Sequence, residues 1–164
     1  MKIDSAARNG SKIILERTYR ATIADVWDLW TTKEGFESWW GPQGFRADVH
    51  EMDAREGGTL RYDMVASTPE MIEEMRRMGQ PISHPTRSRF TEVKTHTRLV
   101  LTNVIDFLPG VASYENNIAV DFSTSGDHVR MVVTLERMHS QQFTEMQKEG
   151  FTSQLTKLDA RFAQ

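Results

Sequence analysis

The fold is decided by residues 31–64, which read TTKEGFESWWGPQGFRADVHEMDAREGGTLRYDM. The tryptophan pair at 39–40 is followed by Gly-Pro, through which a helix cannot continue. Two strand-like runs come next, Phe45–Asp53 and Thr59–Val65, and a Glu-Gly-Gly turn at 56–58 joins them. Because glycine takes positive φ at little steric cost, this turn predicts a tight hairpin beside an aromatic cluster.

The whole chain has the composition of one soluble globular domain. Its 164 residues are 38% hydrophobic and 26% charged, and the net charge of −3 argues against a nucleic-acid-binding surface. The absence of cysteine excludes disulfides and thiolate zinc sites and fits a cytoplasmic protein. No apolar run reaches the roughly 18 residues that a membrane span needs. We therefore predict a polar, flexible N-terminal lead at 1–11 and a single domain at 12–164.

Strand patterns continue on both sides of the hairpin. Alternation with a period of two residues predicts further strands at Lys12–Arg20, Arg87–Lys94, Arg98–Phe107, Glu115–Ser123 and His128–Glu136. A hairpin turn at 125–127 joins the last two, and residues 80–85 are predicted to form a loop. Successive strands that are joined by tight turns favour an antiparallel sheet.

Helix starts are indicated by three N-cap patterns: Thr22 with Asp25, Thr31 with Glu34, and Ser67 with Glu70. The first two predict a pair of short helices directly after the first strand. The third predicts a helix at 69–78 whose Met71, Met75 and Met78 form one stripe. Two interpretations of that stripe stay open, a soft lid over a ligand site or the docked face of a surface helix.

The C-terminal segment changes to helical periodicity and predicts a long helix at Gln141–Phe162. Its apolar stripe consists of Phe143, Met146, Gly150, Phe151, Leu155, Leu158 and Phe162. A curved antiparallel sheet wrapped around this helix leaves space between the two layers, where ligands often bind. We expect Gly150 to face the sheet at a point where a side chain would occupy cavity or sheet space.

Several short motifs follow one another along the chain: Arg17, Val26-Trp27, Trp30-Thr31, Trp39-Trp40-Gly41-Pro42, Gly44-Phe45, Asp53, Gly57-Gly58, Met64, Arg98-Leu99-Val100, Gly150-Phe151, Leu155 and Leu158. In these motifs the chain resembles the START-like (SRPBCC, birch-pollen-allergen-like) superfamily, which implies an α+β helix-grip fold. Within it, the chain is similar to bacterial proteins related to the activator of the heat-shock-protein-90 ATPase. It departs from that pattern at Thr22, at Phe151, and at 67–85, where a Met-rich helix replaces a short hairpin.

Arg17 is the most informative charged residue, because alternation places it on the inward face of the first strand beside Leu15 and Tyr19. A buried arginine needs a carboxylate partner, and the expected candidates are Glu51, Asp53 and Glu92. Two roles stay open for it, an anchor for an anionic ligand group and a structural ion pair.

The other predicted cavity residues are mostly apolar or aromatic: Trp27, Trp39, Trp40, Tyr62, Met75, Phe90, Asn103, Ile118, Phe122 and Phe151. Aromatic clusters more often pack than bind, so we expect one or two rings to reach the cavity. Trp39 and Trp40 are adjacent, and we expect one of them to pack while the other meets the mouth of the cavity.

The sequence shows no catalytic or phosphate-binding motif, and its histidines lack metal-ligand spacing, so we expect no metal and no cofactor. The leading hypothesis is non-enzymatic binding of a small hydrophobic molecule by a monomer or homodimer. The resemblance implies a second, a stress-related protein-interaction module that acts on a chaperone of the heat-shock-protein-90 type. A lesser alternative is a polyketide cyclase or aromatase, in which Arg17 or Tyr62 polarises a carbonyl.

Overall fold

The computed structural model describes residues 12–106 and 108–163. Within this part of the chain, one curled antiparallel sheet packs around a long C-terminal helix. The predicted α+β helix-grip architecture is therefore confirmed. The predicted lead at 1–11 and Phe107, the predicted end of one strand, lie outside the described residues. None of the described helices is long and apolar enough to cross a membrane.

The sheet comprises seven strands in the described residues: β1 Lys12–Arg20, β2 Phe45–Met52, β3 Thr59–Ala66, β4 Ser83–Lys94, β5 Arg98–Ile105, β6 Tyr114–Ser125 and β7 His128–Glu136. Their spatial order is β1-β7-β6-β5-β4-β3-β2, and each neighbouring pair is antiparallel. The first two strands of the chain thus form the two edges. The predicted turn between β6 and β7 is confirmed, with Gly126 at a φ of 60°.

Four helices are found in the same residues: α1 Ile23–Thr31, α2 Lys33–Glu37, α3 Pro69–Arg77 and α4 Gln141–Arg161. The face of the sheet toward α4, here called the inner face, carries most of the buried residues, although Val100 and Thr102 of β5, which alternate with the inward residues, are buried as well. In β6 and β7 these alternate as predicted: Ile118, Val120 and Phe122, then Val129, Met131, Val133 and Leu135.

Two of the three predicted N-caps are wrong by one residue. Thr22 does accept from the backbone N–H of Asp25, as predicted. Thr31, however, is the last residue of α1 and donates back to the carbonyl of Trp27, so Thr32 caps α2 instead. Thr68 rather than Ser67 caps α3, because Pro69 occupies the first helical position and the cap must precede it directly.

The predicted loop at 80–85 is also too long, because β4 already begins at Ser83. Pro85 pairs with Asp63 of β3 and precedes the first β4–β5 pair, Ser88 with Asn103. A proline has no N–H to give to a ladder, so it is tolerated near the end of a strand rather than in the paired centre.

The glycine pair between β2 and β3 fixes the hairpin to the rest of the sheet. Gly57 has a φ of 86°, and its N–H donates to the carbonyl of Phe90 in β4. Phe90 in turn donates to the carbonyl of Gly58. A Cβ on Gly58 would lie 1.9 Å from the carbonyl oxygen of Asp53, so only glycine fits there.

We expect Gly58→Ala to lower the free energy of unfolding by about 1–3 kcal/mol, because the added methyl group must displace backbone. Gly57→Asn is the matched control, since a Cβ there meets no atom within 4 Å and asparagine tolerates positive φ. Urea denaturation of both variants measures the difference. Equal destabilisation by the two substitutions would contradict the steric explanation.

Candidate functional site

Four aromatic rings, here called the aromatic cluster, fill one half of the space between the sheet and α4: Trp30, Trp39, Trp40 and Phe151. The ring centroids of Trp30 lie 5.1 Å from Trp39 and 5.5 Å from Trp40, and both pairs are edge-to-face. Phe151 of α4 lies 5.6–6.3 Å from the three tryptophans. This half of the interior is therefore packed with protein.

The expectation that either Trp39 or Trp40 meets a cavity mouth is wrong, because their exposed fractions are 0% and 5%. Both residues follow the end of α2, so helical geometry does not force their side chains apart. Trp39 Nε1 donates to the carbonyl of Leu29 at 2.8 Å, and Trp40 Nε1 donates to the hydroxyl of Tyr62 at 3.0 Å. Burial raises the pKa of Tyr62.

The remaining predicted cavity residues fall into two groups. Those in the buried core are Trp27, Phe90, Ile118 and Phe122. Met75 of α3 and Asn103 of β5 are half-buried. Their role in binding stays a prediction.

The expected partners of Arg17 are wrong. Its Nε lies 3.1 Å from the carboxylate of Asp159 on α4, which also accepts from the Tyr19 hydroxyl at 2.7 Å. Burial and the neighbouring Asp159 carboxylate raise the pKa of Tyr19. The three carboxylates expected for Arg17 pair elsewhere, in the bridges Glu51–Arg61, Asp53–Arg55 and Glu92–Arg98. Arg17 thus joins an edge strand to the C-terminal helix, which favours its structural role.

The C-terminal half of α4 is tied to the turn that follows Trp40. Gly41 donates its N–H to Gln154 Oε1 at 3.0 Å, and Gln43 donates its N–H to Ser153 Oγ at 2.9 Å. Lys157 Nζ donates to the carbonyl of Phe45 at 3.0 Å. These contacts fix one side of α4 from Ser153 onward, and Gly150 lies just before them.

The other half of the interior contains polar side chains. Ser88, Asn103 and Asn116 are register partners on three adjacent strands, so they form a row across the sheet, here called the polar row. Ser88 and Asn116 are each 1% exposed, and Ser88 Oγ lies 2.5 Å from Asn103 Oδ1. An apolar row lies two residues away on the same face: Phe90, Leu101 and Ile118. The inner face is thus apolar with one polar strip.

Two glutamines of α4 also face the interior, Gln147 toward the polar row and Gln154 toward the turn that follows Trp40. Gln147 Nε2 donates to Asn116 Oδ1 at 3.0 Å, whereas its Oε1 is buried and has no hydrogen-bond partner among the described residues. Gln154 is 4% exposed, and its Nε2 is likewise buried without an acceptor in the described chain. Leaving such a group unpaired costs about 1–3 kcal/mol.

Sequence analysis missed Ser88, Gln147 and Gln154, although one signal was present. Gln147 precedes Phe151 by four residues and Gln154 follows it by three, so helical spacing puts both on the buried stripe. Two expected members of that stripe are less buried than predicted, with Met146 54% exposed and Phe143 half-buried.

Of the two alternatives expected for a side chain at Gly150, entry into sheet space is wrong. A Cβ built on this half-buried glycine meets no heavy atom within 4 Å. The glycine therefore borders open space on the side of α4 that Gln147 and Gln154 share. We call these three residues the α4 flank.

α3 packs onto the turn at Gly44 through its N-terminal end. A Cβ on Gly44 would lie 3.1 Å from Met71 Cε, and Ser67 donates its N–H to the carbonyl of Gly44. Met75 is half-buried and Met78 is 52% exposed. The methionine stripe is thus docked at one end and solvent-exposed at the other.

A further cavity of about 300 Å³ is lined by residues of β2, β3 and β4 and by Val104 and Asp106 at the end of β5. Its ionisable lining residues pair with one another or with neighbours: His50 with Asp63, Arg61 with Glu51, and Arg87 with Asp106. Because both arginines are already ion-paired, neither presents a free charge to a ligand. Among the described residues no cluster of histidine and carboxylate side chains has the arrangement of a metal site.

We expect Gly150→Ala to raise the free energy of unfolding by about 0.5–1 kcal/mol, since alanine has the better helix propensity and meets no atom. Gly35→Ala, at another helical position, is the control. It should lower the free energy of unfolding, because its Cβ would approach the carbonyl of Asp28. Urea denaturation measures both. A neutral or destabilising Gly150→Ala would show that the space beside the helix is not open.

Comparison with known proteins agrees with this architecture. The family model described as "Activator of Hsp90 ATPase homolog 1-like protein" matches residues 20–163. A search of curated proteins by sequence finds no match.

Solved structures share the fold at low sequence identity. A Chromobacterium violaceum protein is 21% identical, with 94% of this chain and 99% of that chain covered and a TM-score of 0.76. The AHSA1 protein of Silicibacter pomeroyi is 20% identical, with 93% and 97% covered and a TM-score of 0.71. CalU16 of Micromonospora echinospora is 16% identical, with 93% and 76% covered and a TM-score of 0.63. The chain therefore belongs to the family of Activator of Hsp90 ATPase homolog 1-like proteins, within the START-like superfamily.

Proposed function

We propose that the protein binds a small, largely apolar molecule between the inner face of the sheet and α4. The observation that carries this proposal is the open space beside Gly150 on the half-buried flank of the helix. A side chain at this position would improve helix propensity, yet the chain keeps a glycine and with it a gap. Room beside a half-buried helical face is compatible with a ligand site.

The composition of the inner face supports the same proposal. The polar row lies directly beside the apolar row of Phe90, Leu101 and Ile118. Ligand sites are usually apolar surfaces with a few well-placed polar groups that fix orientation. The inner face has this composition on the half of the interior away from the aromatic cluster.

A fluorescence titration with N-phenyl-1-naphthylamine, a neutral dye that brightens in apolar surroundings, tests the proposal. We expect saturable binding to the unmodified protein and an affinity at least about tenfold lower for Gly150→Leu, because the leucine fills the gap. Circular dichroism melting checks that the variant remains folded.

Thr152→Leu is the matched control, since it adds the same side chain at an exposed position of the same helix. It should bind the dye as the unmodified protein does. Absence of dye binding to the unmodified protein, or equal affinity of the two leucine variants, would overturn the proposal.

A second candidate is a protein-interaction module that acts on a chaperone of the heat-shock-protein-90 type. It is favoured by the exposed apolar pair Met78 and Ile82, four residues apart beyond α3 and 52% and 38% exposed. We expect the double variant Met78→Ser with Ile82→Ser to lose any effect on the ATPase rate of a purified chaperone. Glu73→Ser, on the exposed side of α3, is the control and should keep that effect. An unchanged ATPase rate with the unmodified protein would remove this candidate.

The cyclase or aromatase alternative receives less support from the geometry. It assigns the polarisation of a carbonyl to Arg17 or Tyr62. Arg17 is engaged with Asp159, and the Tyr62 hydroxyl accepts from Trp40 Nε1. Neither group is free to face a substrate without first giving up a protein partner.

A further inference from the structure

β1 is an edge strand, and its register with β7 shows which of its backbone groups point away from the sheet. Ala21 donates its N–H to the carbonyl of Asp127, and this pair continues the β1–β7 register by one residue. Because hydrogen-bonded and non-hydrogen-bonded pairs alternate in an antiparallel ladder, the odd-numbered residues of β1 bond to β7. The N–H and C=O groups of Lys12, Ile14 and Glu16 therefore point outward from the edge.

The opposite edge of the sheet, β2, is protected against strand pairing, whereas the start of β1 is less so. In β2 the N–H of Val49 donates to a carboxylate of α2 at 2.8 Å, and the carbonyl of Phe45 accepts from Lys157 Nζ. A register shift after Val49 interrupts this edge as well. Natural sheets use such side-chain contacts and bulges to prevent pairing between copies. At the start of β1, the described chain provides one contact of this kind, from Arg17 Nη1 to the carbonyl of Glu16.

The side chains at the start of β1 are complementary to a second copy of themselves. Lys12, Ile14 and Glu16 are exposed on one face of the strand, and Ile14 is 63% exposed. When a second copy lies antiparallel with the two Ile14 residues opposite each other, Lys12 lies opposite Glu16 of the partner subunit, and the reverse pair forms as well. Opposite charges at directly opposed positions are stabilising. On the other face, the half-buried Ile13 lies opposite the half-buried Leu15 of the partner subunit.

Other registers of the same edge lose this match. Moving the two-fold axis from Ile14 to Leu15 places Ile14 opposite Glu16 of the partner subunit. Moving it to Glu16 places two carboxylates opposite each other and Lys12 opposite Arg20 of the partner subunit, so like charges meet. The side-chain pattern therefore selects the register about Ile14.

We propose that this edge is a homodimer interface in which residues 12–16 of two copies pair antiparallel about a two-fold axis at Ile14. The outward-pointing groups of Lys12, Ile14 and Glu16 then form about six backbone hydrogen bonds between the copies. The carbonyl of Glu16 has a second lone pair for this purpose beside its contact with Arg17. The two sheets become one continuous sheet with both α4 helices on the same face. Because the two-fold contact is closed, association stops at the dimer. This dimer does not depend on the proposed ligand.

Sedimentation equilibrium of the full chain at concentrations from about 1 to 200 µM tests the dimer. Pairing of five residues from each copy buries less area than a standard interface, so we expect a dissociation constant on the order of 10 µM. Ile14→Lys should weaken association at least about tenfold, because the two added cations would lie opposite each other. Met78→Lys is the matched control, since it adds the same charge at another exposed apolar position and should leave association unchanged.

Two charge variants test the register. Lys12→Glu and Glu16→Lys should each fail to form a homodimer, because like charges then lie opposite each other. An equimolar mixture of the two variants should associate again, since each opposed pair then joins opposite charges. Circular dichroism melting checks that each variant is folded, because Glu16→Lys also loses the ion pair with Arg130.

Amide hydrogen exchange, measured by NMR on the unmodified protein, needs no variant. Raising the protein concentration should slow the exchange of the Ile14 and Glu16 N–H groups, whereas Ile13 and Leu15 are bonded to β7 at every concentration. A monomer at all concentrations would overturn the proposal. A dimer that survives Ile14→Lys, or one that Met78→Lys removes, would also overturn it. Protection of the Ile14 N–H that does not change with concentration would show that the edge is covered within a single chain, which contradicts the proposal.

Discussion

The packing of Trp30 is the interaction on which the rest of the molecule depends. Its ring contacts Trp39 and Trp40 after α2, Phe122 of β6 and Phe151 of α4. Edge-to-face aromatic pairs contribute about 0.5–1.5 kcal/mol each beyond the area that they bury, and they also constrain orientation. One side chain thus fixes the short helices, the sheet and the C-terminal helix relative to one another.

This anchoring divides the interior into two unlike halves. Beyond Phe151 toward its C-terminus, α4 is held by rings, by the turn at Gly41 and by Asp159. Toward its N-terminus it faces amides and a hydroxyl of the polar row. Rigid packing on one side allows the other side to carry buried polar side chains without loss of the helix position.

Local patterns in the sequence predicted most elements, because alternation and cap residues depend on near neighbours. These patterns assigned the N-cap of α2 to Thr31 instead of Thr32. Both residues have a hydroxyl group, and only the length of α1 decides between them. The partner of Arg17 lies 142 residues away on α4, so its identity depends on the tilt of that helix. The polar row depends on strand register, and an irregularity between Phe90 and Glu92 shifts the register there. These features arise only from the assembled fold.

The strand order also has a consequence for synthesis. β1 is the first strand of the chain and pairs with β7, with Lys12 opposite Glu136. During translation β1 must wait until its partner has left the ribosome, and this long separation also slows folding. Until then an apolar run, Ile13-Ile14-Leu15, has an unpaired backbone that other chains can join. The yield of folded protein should therefore fall when synthesis is slow and this interval is long.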